Sequence, residues 1–570
     1  MADLSGGEAP PPGEDDKRTV RGDDRPGASL ADKLGQGLKR LSWRTPIHSL
    51  RLRGRYPLQL LDVPADPVPG NAKAGRALFE HRLSHAGESI AFDAIDRGLS
   101  PAMTDYLQSF AWLRDLAAAA AERREATGIA EQLMRRWLKA HAKEVSQPGW
   151  RPDLWGQRVL FWTAYAPFIL DTRDVHYRTE VLRALARGAR HLDNAAAAAP
   201  QGLPQLTAWA GVIAAGLLFP GGDLRAAHGE AGMTRALAVA VHADGGLVSR
   251  SPAEQLAFVE LLAQLRAVYE VRARPPAGAV ARALTLAVPV LASATLGDGA
   301  LSSWQGGGPL PEHQVAAAIA AAAVRPGMRD DARDWGYQRL CCGEARLVVD
   351  AAPPPKAALA RGGCASTLAF ELSDGDQRLI VNCGGGIGLP GDLTEALRTT
   401  AAHSTLTLGE TNSTALHPDG TMGRGVNEVA LIRVHGADAS RIEASHDGYL
   451  KRFGFTHSRR LTLAADGYSL DGEDRVIPAP RRKAGPVPAT LRFHLAPGVE
   501  TVITADGQGA LLRPRDAPSW QFRTRAGTLT IEDSLWIDRA GRPRATQQLV
   551  VALLTGGEGA TIPWSLRRVR

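Results

Sequence analysis

The spacing of apolar residues changes once along this chain, and that change constrains the fold more than anything else in the sequence. From about Gly98 to Val324, apolar side chains recur every three or four residues, as in HYRTEVLRALARGARHLDNA, QLTAWAGVIAAGLLF and PAEQLAFVELLAQLRAVYEV. This is the period of helices that bury a face against neighbours, and Gly and Pro punctuate the runs. From about Trp335 the period falls to two. Short alternating runs such as ARLVVDA, STLAFEL, STLTLGE, TLRFHLA and QQLVVALL are separated by turn formers such as SDGD and AADG. A half built of antiparallel helical hairpins, followed by a large antiparallel β-sandwich, is therefore expected.

The periods also set boundaries: a helical domain over 43–334 and a β-sandwich over 335–570. Residues 1–42 begin with MADLSGGEAPPPGEDDKRTVRGDD, rich in Pro, Gly and charge, and read as a disordered tail. That stretch has no apolar signal-peptide core, and no run approaches a membrane span. Cytoplasmic residence is the default expectation, with the periplasm as the alternative. The four cysteines, Cys341, Cys342, Cys364 and Cys383, contain no CxxC pair and read as reduced thiols. A net charge of +7 permits a polyanionic partner. Without clusters of basic and aromatic residues it does not build a nucleic-acid reader. No nucleotide-binding loop, HExxH or GxSxG is present, and CGGGIG lies among strands with no helix after it.

Five ordered stretches carry a resemblance: HADGGLVSRSPAEQL, WGYQRL, RLIVNCGG, LRTTAAHSTLTLGETNS and ASHDGYLKRFGFTHSRRLTL. Together they resemble the heparinase II/III family, in its bacterial branch of heparinase-like proteins, from about Trp43 to the final strands. The resemblance implies an N-terminal (α/α) toroid, a C-terminal β-sandwich, and a cleft between them. It also implies cleavage of a uronic-acid polysaccharide, of the heparin or heparan kind or another acidic glycan, by β-elimination. That reaction needs the C5-side carboxylate neutralised, a base for the C5 proton and an acid for the departing oxygen.

Carried over position by position, the resemblance makes His403, His446, Tyr337 and Tyr449 the candidates for proton transfer and carboxylate neutralisation. Arg250, Arg398 and His457 become candidate substrate contacts. His446 and His457, eleven residues apart across a turn, should meet on adjacent antiparallel strands. Zinc-bearing relatives hold their metal at positions matched here by Cys364, Asn382 and His403. An asparagine replaces a carboxylate there, so a degraded zinc site is expected rather than an intact one. In the DGGLVSRSPAEQ stretch, Ser249 stands at an acidic position and Glu254 near the tyrosine that serves active lyases as proton carrier. Each candidate also fits a structural role: a buried junction tyrosine, paired core histidines, an arginine bonded within the sheet. The expectation is a polysaccharide lyase. The alternative is a glycan-binding or scaffold protein that keeps the lyase fold without turnover.

Overall fold

The computed structural model describes residues 16–22, 43 and 46–569, apart from 58, 122, 326, 328–331, 356–361, 387, 419 and 481–483. Helices occupy the first half, from Ala72–Phe79 to Glu312–Ala322. Several begin where the sequence supplies a cap: Asn71, Ser100 and Asp174 accept hydrogen bonds from the first-turn amides of the helices that follow them. Leu203–Leu218 is apolar nearly all round and buried nearly all round, because it packs against both Pro152–Ala164 and Asp223–Ala240. One departure from the helical period is a small hairpin, Arg82–His85 with Glu88–Ala91.

Two antiparallel sheets form the second half. The nine-stranded sheet runs in space from Asp16–Arg21 through Glu428–His435, Ala439–His446, Phe455–Ala464, Ser469–Pro478, Ala560–Arg568, Trp520–Thr524 and Gly509–Arg513 to Glu500–Ile503. The eight-stranded sheet includes Tyr337–Cys342, Ala345–Asp350, Phe370–Asp374, Gln377–Val381 and Val487–Leu495, and the short strand Leu406–Leu408 pairs with the last of these. Their facing sides share one core, in which Phe370 stacks on Trp564 with ring centres 5.7 Å apart and Phe493 meets both. Alternation puts every second side chain into that core, which is why the period-two runs were readable.

One expectation is corrected. Residues 16–21, placed in a disordered tail, form an edge strand whose six residues pair with Glu428–His435. The pairing needs a partner more than four hundred residues away, which local composition does not report. The rest of the expected tail, 1–15 and 23–42, lies outside the described residues apart from what is said of 16–22.

Candidate functional site

Two of the residues flagged in sequence, Arg250 and Tyr337, lie on the seam where the two halves meet. The turn after Asp223–Ala240 folds back on itself: the Asp244 carboxylate accepts from Gly246 N at 3.0 Å, and from Asp334 N at 2.9 Å and Trp335 N at 2.8 Å. Arg250 follows in a left-handed conformation, φ 56°, which costs a non-glycine residue free energy and persists only where surroundings enforce it. Its surroundings do so. The guanidinium donates to Trp335 O and Pro353 O, pairs with the Asp350 carboxylate and stacks on the Tyr337 ring. Tyr337 OH donates in turn to Arg250 O at 2.7 Å. Asp350 accepts from Ser366 Oγ at 2.7 Å, and Gln305 joins Ser366 to the Cys364 amide. Arg250 and Tyr337 are thus brought together, but both are about 3% exposed or less and their polar atoms are engaged within the seam.

Glycine closes the same seam. A Cβ on Gly385 would lie 2.5 Å from Gly306 O, and one on Gly308 would lie 2.5 Å from Gly385 O. Gly306 and Gly308 therefore pack against Gly385 backbone on backbone where the halves meet.

His403 sits just beyond the short turn Thr400–Ala402, 2% exposed. Its Nδ1 donates to Thr399 O at 2.7 Å. Burial lowers its pKa to about 4, so the ring is neutral at pH 7. Arg398 donates to Gly363 O and Gly420 O, fastening a loop. Asn382 uses both ends of its amide: Oδ1 accepts from Ser404 N at 2.9 Å, while Nδ2 donates to Glu371 at 3.2 Å. The Cys364 thiol faces Gly362 O, and burial pushes its pKa up to about 12. Among the described residues no group of three His, Cys, Asp or Glu side chains is arranged to hold a metal ion. A zinc ion needs deprotonated, converging ligands. With an amide engaged at both ends where a carboxylate ligand would stand, these positions do not make such a set.

The remaining candidates lie inside the sandwich. His446 and His457 are register partners, as their spacing predicted. Gly448 N donates to His446 Nδ1, so His446 Nε2 carries the proton toward His457 Nδ1, 3.3 Å away, and His457 Nε2 donates to Asp474 at 2.7 Å. Arg459 donates to both Asp474 oxygens, and Trp564 Nε1 donates to one of them at 2.8 Å. Burial alone would raise the Asp474 carboxyl, but Arg459 and His457 outweigh it and hold the group well below the usual carboxylate range. Tyr449 OH donates to Leu406 O at 2.8 Å. These side chains are fully enclosed and make a polar spine within the core.

Residues 324–565 match the heparinase II/III-like C-terminal family model. This part of the chain is a heparinase II/III-like domain. The whole chain shares its fold with heparinase III, at a TM-score of 0.68 and 13% identity over 96% of this chain and 93% of that one. A heparan sulfate lyase HepC mutant from Pedobacter heparinus gives 0.61 and 15%, over 94% and 89%. A curated relative from Caulobacter vibrioides, FtsZ-localized protein C, is 29% identical over 91% of this chain and 92% of its own length.

Against the heparinase-like frame, Glu254 is the informative departure. It lies in the first turn of the helix Pro252–Val271, partly buried, and burial raises its carboxyl pKa while Ser249 beside it offsets part of the rise. Sequence reasoning missed the acids that organise both networks. Asp350 ends the strand Ala345–Asp350 and Asp474 sits at an inward position of YSLDGED; an acid at an inward strand position was the signal available for each. It also missed His494, whose Nε2 donates to Ala401 O at 2.9 Å while Nδ1 accepts from Ser534 Oγ at 2.7 Å.

Proposed function

We propose that this chain is a non-catalytic heparinase-like protein, a scaffold or localisation module that keeps the lyase fold without β-elimination. The observation that carries this reading is the commitment of the elimination groups. His403, His446, His457, Tyr337, Tyr449, Arg250 and Arg398 are all buried with polar atoms bonded inside the protein, while a base must reach the proton it removes. The similarity to FtsZ-localized protein C over nearly the full length of both chains supports association with FtsZ assemblies as the role. Any acidic polysaccharide would then be bound without turnover.

The elimination reading retains one supporting observation: the raised Glu254 carboxyl holds a proton more readily than an exposed glutamate does. One pair of measurements separates the two. Purified protein is incubated with heparin, heparan sulfate, chondroitin sulfate and alginate while absorbance from unsaturated uronate is followed, and the same preparation is sedimented with polymerised FtsZ. The scaffold reading expects no absorbance change and co-sedimentation with the polymer. Sustained chromophore formation would establish a lyase, and failure to co-sediment would remove the FtsZ role.

A further inference from the structure

The strand Asp16–Arg21 closes the edge of the nine-stranded sheet in full antiparallel register, from Asp16 opposite Arg433 to Arg21 opposite Glu428, and Gly22 N extends the pairing to Asn427 O at 2.8 Å. Its hold is light. Of its inward-facing side chains only Val20 packs on the sandwich core, while Asp16 and Arg18 are polar. The Arg21 ion pair with Glu428, 3.0 Å long, is largely exposed, and such pairs contribute little. The strand beneath is different: Glu428–His435 buries Val429, Leu431 and Arg433 and stays in the sheet through Ala439–His446. Each time Asp16–Arg21 lets go, that core strand presents unpaired N–H and C=O groups, a template for another strand.

The strand whose fit to this edge is established is 16–21 itself, and every copy of the chain carries one. Twenty residues, 23–42, separate Gly22 from Trp43, which is anchored against His191 and Ala195. A segment of that length spans roughly 70 Å at most, enough for the strand to meet a neighbouring molecule. We propose that the edge of Glu428–His435 is a strand-exchange site, filled by residues 16–21 of its own chain in dilute solution and by those of a second copy under crowding, giving a reciprocal dimer. Exchange breaks and remakes identical contacts, so little besides concentration opposes it. The inference is independent of whether the fold turns over a glycan.

Thr19 and Ala430 are register partners and both face solvent, which suits a disulfide across the pair. The full-length double variant Thr19→Cys with Ala430→Cys should close an internal disulfide on oxidation at micromolar concentration. Full-length single variants, Thr19→Cys and Ala430→Cys, are then mixed, incubated from micromolar to millimolar concentration and oxidised. A disulfide heterodimer rising with concentration is expected, because a bond between those two positions on different chains requires an exchanged strand. Adding Val20→Asp to the Thr19→Cys chain should lower its yield about tenfold. The proposal is overturned if the double variant closes while the mixed single variants never join. It is equally overturned if the double variant fails to close, or if Val20→Asp leaves the yield unchanged.

Discussion

His403 shows how burial changes the meaning of a residue. Its ring is held neutral with a pKa near 4, and His494, close by, is lowered to about 3, in both cases first by burial. The unfolded chain returns each to its ordinary value of 6.5, so between about pH 6.5 and 4 the unfolded state binds protons that the folded state refuses. Stability therefore falls as pH drops through that window. Urea unfolding midpoints should be lower at pH 5 than at pH 7, and His403→Gln should make the decline shallower. Asp474 gives a second test. Asp474→Asn leaves Arg459 buried opposite a neutral amide, and breaking such a pair from one side costs about 3–5 kcal/mol. Asp471→Asn, in the same strand as Asp474 but on an exposed pair with Arg567 of the neighbouring strand, should change stability by less than about 1 kcal/mol. Denaturant titration of both variants checks the contrast. The sequence made these histidines visible and paired His446 with His457 correctly, because strand register follows from spacing across a turn. It did not show that Trp564 closes over them, since Trp564 reaches Asp474 from a strand 90 residues further on, while Arg459 and Asp474 are register partners across the next hairpin.

At the scale of elements, the periods of 3.6 and 2 made the helices and most strands legible, for the physical reason that each buries alternate or stripe-wise faces in one core. Two features escaped. The strand Asp16–Arg21 carries a single apolar side chain facing the core, so its pattern matches a polar tail. The glycine contact in the seam escaped because glycine has no side chain with which to signal a partner: Gly385 touches Gly306 and Gly308 through backbone alone. That contact predicts a steep cost for one methyl group. Gly385→Ala places a Cβ 2.5 Å from Gly306 O, with backbone on both sides and no flexible side chain to give way. Overpacking of this kind costs about 1–3 kcal/mol. Gly391→Ala, six residues on and with open space around its Cβ, should stay within about 0.5 kcal/mol. Thermal melts of the two variants side by side measure the difference.

For the whole molecule, the fasteners between the halves decide how it comes apart. Asp244 holds the Trp335 amide, Arg250 grips Asp350, Arg378 takes both oxygens of Asp298, and Ser373 Oγ accepts from Gly297 N. Each contact joins the helical side of the seam to the sheets or to the segment leading into them, and several are out of water, where breaking one partner leaves the other unsatisfied. Two halves would unfold independently if only a thin linker joined them, as domains with small polar interfaces do, but the apolar core of the helical half runs across the seam and takes in Trp335, Tyr337, Val348 and Ala369. Here the seam couples them, so calorimetry of the intact chain should show one dominant transition. Arg250→Met removes the central grip, leaves Asp350 without its cation and takes the guanidinium off the Tyr337 ring, which belongs to the helical core. The expected result is a split into two transitions, the later one staying close to the original midpoint because that half keeps its own core. A single transition shifted bodily downward would mean that the halves are held together by apolar packing across the seam, and that Arg250 serves only local stability.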